Sequence, residues 1–411
     1  MSGWKASAFA SPQPTSAEEG AIRPPGREWT CGAKRRTGMN QNKPLRLVMH
    51  VGPHKTATTY LQANFHHNAE PLLQRGWLYP AIGERVGIAH HDLSDRPDQF
   101  LRRDGSAYRD FLMVMQRADR EGLNVLLSSE GFRRWRKPHF QAISALIGDR
   151  SLHVVYTLRD PLDTFYSFWA QKAGMGSAPS LPKWMERPLR NPSRTAYLNP
   201  LREISPVLSL PGVDYKVLLY DEIRKRQLDI YSYFLQIALD IHDLQPTQQP
   251  TNQRLPIELT EFIRLLSKES GFPTGKSNSR KALHIGQAMH YLFSPEEKAR
   301  IVATMASSGA PARRSLTVPR QSDEFRTIEK RLLAVLRERM HPRPDSDSIF
   351  APGTATFAYY DDEELRKVPA VQELLQSALR RTRTTYPPLA ALNMGKRLLV
   401  TWRSLRKRVR F

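Results

Sequence analysis

Leu45–Val51 (LRLVMHV) runs directly into Gly52-Pro53-His54-Lys55-Thr56-Ala57-Thr58-Thr59, and this junction decides the fold. The first stretch is a short apolar run bounded by Pro44 and by Gly52-Pro53, which is the pattern of a buried strand. From Thr58 to about Gln74, Leu61, Phe65, Leu72 and Leu73 recur at helical spacing, and Gly76 supplies a stop. A strand that turns straight into a helix puts the helix's unpaired N–H groups and positive dipole end at one sheet edge, where a phosphate binds well. Lys55 adds a point charge, and Thr56, Thr58 and Thr59 add hydroxyl donors. Ala57 carries a Cβ, so ordinary backbone geometry is expected there. Taken alone, a threonine-rich helix cap with a chance lysine would read the same way.

Working outward, Asn124–Ser129 (NVLLSS), Leu152–Leu158 (LHVVYTL) and Val213–Tyr220 (VDYKVLLY) are further strand candidates. Helical spacing follows the last two, over Asp163 to about Ala173 and over Arg226–Leu239. Strands alternating with helices predict an α/β domain whose central parallel sheet is flanked by helices on both faces. From Leu255 onward helical patterns dominate, at Leu255–Lys268, Pro295–Met305 and Asp323–Met340. The stretch 307–322 reads as turn-rich and basic, and 341–362 as a loop. Residues 1–43 are rich in Pro, Gly, Ser and Arg without apolar periodicity, so they read as a disordered extension upstream of the domain at 44–340. Residues 341–393 read as a loop and helical extension.

Composition narrows the function classes. The 411 residues carry 62 basic and 40 acidic side chains, a net charge of +22, which points to anionic partners. No zinc-ligand spacing, RNP-like aromatic motif or basic zipper accompanies that charge, so nucleic acid is not the expected partner. The single cysteine, Cys31, excludes an internal disulfide framework and fits a reducing compartment. With no apolar run of membrane-spanning length and no secretory leader pattern, a cytoplasmic protein is expected. In 394–411, Leu398, Leu399, Trp402, Leu405 and Val409 recur at helical spacing among seven cations and no acid. Such a basic amphipathic tail suits peripheral contact with an anionic membrane face, and equally a helix packed on the domain.

The ATP-binding loop G-x-x-x-x-G-K-[ST] does not fit at Lys55, because His54 and Met49 stand where its glycines belong. The segment resembles instead the 5′-phosphosulfate-binding loop of the sulfotransferases that use 3′-phosphoadenosine 5′-phosphosulfate (PAPS), approximately P-K-[ST]-[GA]-T-T. His54 replaces the proline of that pattern, and Ala57 stands where many members have glycine. About a hundred residues later, Leu152–Leu158 runs into Arg159-Asp160-Pro161, with Ser167 eight residues after Arg159. This is similar to the family's 3′-phosphate-binding segment. Arg159 offers a rigid fork for a phosphate, and Ser167 a hydroxyl to the same group. A common strand-to-helix junction accounts for Asp160 and Pro161 by capping; it does not account for this junction's order and separation from Lys55.

The resemblance spans roughly residues 45–270. It implies a P-loop-type three-layer fold and PAPS as donor, with no metal. Gly52, His54, Lys55, Thr56, Ala57, Thr58, Thr59, Arg159 and Ser167 would bind the nucleotide, and Lys55 would lie near the bridging oxygen. For the base that deprotonates the acceptor, Glu130 resembles the catalytic glutamate of the heparan N-sulfotransferase branch; burial at a strand end would raise its pKa. Pairing with Arg133 or Arg134 is the competing reading of Glu130. His90-His91 occupies the region where other branches carry a catalytic histidine, and His54 ranks third. Arg102, Arg103, Tyr108, Lys172, Trp184, Arg187 and Arg190 fall in the inserts expected to bind the acceptor, a carbohydrate, a lipid-linked group or a small molecule. An ATP- and Mg²⁺-dependent kinase or NTPase, and a basic binding protein without catalysis, are the alternatives.

Overall fold

The structure is a computed structural model and describes residues 44–53, 56–82, 88–248, 255–270 and 293–382. His54, Lys55, the extension at 1–43 and the basic tail at 394–411 lie outside the described residues. The described residues belong to one compact unit.

Six parallel strands make the central sheet: β1 (Arg46–Val51), β2 (Trp77–Leu78), β3 (Asn124–Ser128), β4 (Ser151–Leu158), β5 (Val213–Leu219) and β7 (Met340–His341), in the spatial order β2-β3-β1-β4-β5-β7. The outgoing connection of β1 runs to one side of the sheet and that of β4 to the other. The crevice outside their carboxyl ends is therefore a topological switch point, where open α/β sheets bind ligands.

Both sheet faces are covered, which is why the strands read as continuous apolar runs rather than alternating ones. Alternate residues still serve opposite layers. Leu47, Met49 and Val51 of β1 share one core with Val154, Tyr156 and Val217, while Val48 joins Leu126, Val155 and Leu218 on the other face. On the Val48 face lie α1 (Thr58–His67) and α2 (Ala69–Gln74), through Leu61, Phe65 and Leu72. The opposite face is packed by α3 (Gly105–Glu121), α4 (Lys137–Leu146), α5 (Pro161–Gly174) and α6 (Leu201–Leu208), whose Phe111, Phe140, Phe165 and Ile204 are buried there. Each such side chain contributes on the order of 2 kcal/mol by leaving water. Helices α7 (Ile257–Glu269) and α8 (Asp323–Leu336) follow, and α7 packs with Pro295–Ser307 and 369–382 around Phe262, Met305 and Leu375.

Three expectations need correction. The single helix expected from Thr58 to Gln74 is broken at Asn68, because continuing it would drive the ring of Pro71 into the carbonyl of His67. The helix expected over Arg226–Leu239 is shorter and ends in a π-helical turn, Ile230–Phe234 followed by Leu235–Leu239. The basic turn region 307–322 and the loop 341–362 contain the strands β6 (Arg313–Pro319) and β8 (Thr354–Tyr360), which pair antiparallel as a separate ribbon. Their partners are about forty residues apart, so no local hairpin signal announces them. Ala355 and Phe357 of β8 enter the main core, which ties the chain beyond 340 to the α/β domain.

Candidate functional site

The first loop leaves β1 at Val51. A Cβ on Gly52 would stand 3.2 Å from both Thr56 Oγ1 and Thr58 Cγ2 and 3.4 Å from His50 Nε2, so a side chain there would push against buried groups. Thr56, fully buried, donates its hydroxyl to the Pro53 carbonyl at 2.8 Å and closes the loop on itself. Ala57 overturns the expectation of ordinary geometry: it lies in the left-handed region, φ 58° and ψ 19°, at the N-cap of α1. A left-handed residue with a Cβ costs about 1–2 kcal/mol, which the surrounding packing must outweigh. No side chain caps the first turn of α1, and no acid stands in it. Its N–H groups and dipole thus face the switch point with no carboxylate of its own helix against them.

Glu130 follows β3 at the same sheet edge, since His50 of β1 is in register with Ser128 of β3. It is 7 % exposed. Thr58 donates to its Oε1 at 2.5 Å and Gln62, one turn further along α1, donates to its Oε2 at 3.2 Å. The carboxylate is therefore fastened to the first turns of the phosphate-loop helix. Arg133 turns to Glu203 (2.7 Å) and Arg134 to Asp95. Of the three threonines, Thr56 and Thr58 donate their hydroxyls within the protein, and Thr59 is exposed.

The two histidines part company. His90 is buried, accepts from the backbone N–H of Ser128 at 2.9 Å through Nδ1, and has Nε2 2.8 Å from the Pro80 carbonyl. Burial pushes its imidazole down to about 4. It acts as a post between β3 and the loop at Pro80. His91 is the half-exposed one: its Nδ1 meets Ser129 Oγ at 3.0 Å and its Nε2 lies 3.8 Å from Glu130 Oε2. Only His91 of this pair joins the carboxylate.

A third histidine escaped the sequence reading. His50, the one buried polar side chain of β1, bridges Ser128 Oγ (2.8 Å) on β3 and Thr157 Oγ1 (3.1 Å) on β4 directly beneath Gly52. Burial holds it down at about 4, so it is neutral and structural. A lone histidine in such a run was the available signal.

At the end of β4, Arg159 and Ser167 come together, Nη1 donating to Oγ at 3.4 Å. Arg159 Nε lies 3.9 Å from Asp221 Oδ1, and the guanidinium sits over Tyr220 at 5.6 Å. Asp160 is the N-cap of α5, accepting from Leu162 and Asp163 N–H at 3.0 and 3.2 Å, and Pro161 follows at the first helical position. The backbone N–H of Asp160 donates to Asp221 Oδ2 at 2.7 Å. Burial raises the Asp160 and Asp221 carboxyls, against the pull of Arg320 on the first and of the Asp160 N–H and Arg159 on the second.

Beside Ser167, Phe168 stacks on Tyr197 at 4.6 Å, Trp184 stacks on Phe165 at 5.5 Å, Lys172 lies over Phe168, and Arg133 covers Tyr197 at 3.8 Å. Of the residues expected at the acceptor, Lys172 and Trp184 thus join an aromatic cluster with Phe165, Phe168 and Tyr197. Arg102 and Arg190 are exposed and pair locally with Asp104 and Glu186, Arg103 and Arg187 are exposed, and Tyr108 packs on Phe100. Tyr197 carried no sequence signal.

No family model matches this chain, and no curated protein matches it. Among solved structures, it is similar to a sulfotransferase from Alicyclobacillus acidocaldarius at 14% identity and a TM-score of 0.31, over 60% of this chain and 96% of that one. A likeness so distant assigns no residue its role. The class that fold and site define is an α/β protein with two strand-to-helix junctions side by side at the switch point of a parallel sheet. No helix among the described residues is long and apolar enough to cross a membrane.

Proposed function

We propose that this chain is a sulfotransferase that moves a sulfuryl group from PAPS to a hydroxyl or amine of an acceptor. One observation carries the reading: two strand-to-helix junctions, at β1–α1 and β4–α5, flank the crevice between neighbouring strands, and a buried carboxylate stands beside the first. A nucleotide with anionic groups at both its 5′ and 3′ positions needs two such places, one rich in main-chain N–H groups and one built from Arg159 and Ser167. PAPS supplies an activated sulfuryl group attached to a good leaving oxygen.

The chain's residues divide the remaining work. The α1 N-terminus holds the 5′ end, and Lys55 stabilises charge on the departing bridging oxygen. Arg159 and Ser167 hold the 3′-phosphate and fix the nucleotide's register. Glu130 takes the acceptor's proton, its carboxylate aimed by Thr58 and Gln62. Phe168, Tyr197 and Trp184 form an apolar wall for the acceptor.

Binding comparison tests the reading. Adenosine 3′,5′-diphosphate is expected to bind more tightly than ATP, without Mg²⁺. Tighter ATP binding would favour a kinase or NTPase, and no binding of either would favour a non-catalytic basic protein; both outcomes defeat the proposal. Transfer of radiolabelled sulfate from PAPS to cell extract then identifies the acceptor.

A further inference from the structure

Arg320 lies beyond the region that resembles sulfotransferases, in the turn after β6, and its backbone N–H is held by the Gly353 carbonyl at 3.0 Å. Its guanidinium forks onto the α5 junction: Nη1 is 2.5 Å from Asp160 Oδ2, and Nη2 is 3.0 Å from Asp163 Oδ2. The side chain is 11% exposed and Asp160 is 5% exposed, so water screens the first of these contacts poorly. The ribbon that carries Arg320 is fastened to the same helix a second time. Tyr166 donates to the Ala358 carbonyl at 2.9 Å and stacks on Phe357 at 4.5 Å, one residue before Ser167.

The electrostatics call for such a partner. Arg159 stands 3.9 Å from Asp221, whose Oδ2 accepts the Asp160 N–H, and the charge of Asp163 is felt at both Asp160 and Asp221, so three acids share this junction. With Asp160 and Asp163 unopposed, the junction would repel a phosphate and draw Arg159 toward the acids.

We infer that Arg320 is a positioning residue for the Arg159–Ser167 anion site, neutralising Asp160 and Asp163 and holding the start of α5 against the end of β4. The inference rests on the reading that this site receives a 3′-phosphate. Arg320 acts through the two carboxylates, and no contact with the ligand is required of it.

The experiment compares binding of adenosine 3′,5′-diphosphate and adenosine 5′-monophosphate by the full chain and by R320Q, R320K, D163N and R320Q/D163N. R320Q is expected to weaken the diphosphate about tenfold and the monophosphate less than about twofold, with the difference shrinking at high salt. R320K retains most of the affinity, and D163N in the R320Q background recovers part of the loss. Equal losses for both ligands, or no loss, would overturn the inference. D163N alone keeps the helix cap intact and is expected to tighten the diphosphate slightly; weaker binding would overturn the neutralising role even if R320Q does not fold. An unmodified chain that fails to prefer the diphosphate overturns the nucleotide reading itself, and this inference with it.

Discussion

The two strand-to-helix junctions are neighbours in the sheet and nearly alike in outline, yet they treat their helix ends in opposite ways. At β1–α1 the N-cap is Ala57, left-handed and without a capping side chain, and the first turn holds no acid. At β4–α5 the N-cap is Asp160, which takes the Leu162 and Asp163 N–H groups for itself. A helix end capped by its own carboxylate has little to offer an anion, because the amides are engaged and the dipole is offset. The first junction thus offers main-chain N–H groups, and the second offers side chains, Arg159 and Ser167. Backbone amides set in a strained loop suit the end of the nucleotide where charge moves. A guanidinium and a hydroxyl suit an anchor that stays put.

The largest expected effect probes the reacting side. E130Q removes the proton acceptor while keeping the side chain's shape and an acceptor oxygen for one of the two donors, Thr58 and Gln62, and is expected to lower kcat by about 10²–10⁴ with little change in nucleotide affinity. Steady-state transfer rates with a binding titration check this; an unchanged kcat would leave the first junction without its base. K55A and R159A then separate the junctions. K55A is expected to reduce kcat by about 10²–10³, whereas R159A is expected to weaken adenosine 3′,5′-diphosphate by roughly a hundredfold, the value of a lost charged contact. Losses of the same kind from both variants would erase the distinction.

Stability offers a second contrast, at equivalent positions. D160A removes a cap and strands Arg320, at a cost of about 3 kcal/mol. A57G relieves the left-handed strain and is expected to stabilise by up to about 1 kcal/mol. Denaturant titration reads both, and a destabilised A57G would show that the Ala57 methyl packs better than its geometry suggests.

Two buried histidines, His50 beneath the first junction and His90 between β3 and the loop at Pro80, contribute a pH dependence to folding. Burial holds His50 and His90 at about 4, below the usual value near 6.5. The unfolded chain therefore binds protons first as pH falls. The contribution of these rings to stability is full above about 6.5 and declines until about 4, by something on the order of 3 kcal/mol for each ring. Urea midpoints at pH 7.5 and 5 measure this, and replacing His50 should flatten the slope; a flat profile in the unmodified chain would contradict the buried neutral rings.

How much of this was legible beforehand follows from the range of the interactions. The buried strands β1, β3, β4 and β5, the helix after Thr58 and the capped junction at Asp160-Pro161 all rest on local rules of period, propensity and capping. Those rules suffice to predict a parallel sheet with anion sites at its edge. Ser167 meets Arg159 because eight residues across a strand-to-helix turn leave little freedom. The left-handed Ala57 departs from its own preference because the residues on either side of it are held by buried hydrogen bonds, Thr56 to the Pro53 carbonyl and Thr58 to Glu130. His90 and His91 are adjacent in sequence, and only their surroundings separate a buried post from a neighbour of Glu130. The grip of Thr58 and Gln62 on Glu130, the ribbon of β6 and β8, and the fork of Arg320 onto Asp160 and Asp163 each join segments far apart in the chain. Such contacts form only when the whole core closes, because the entropy of bringing distant segments together is repaid by burial and not by any local pattern. The amino-acid sequence by itself determined the two strand-to-helix junctions at which an anion is proposed to bind. The tertiary structure decided which carboxylate, which histidine and which distant arginine stand beside it.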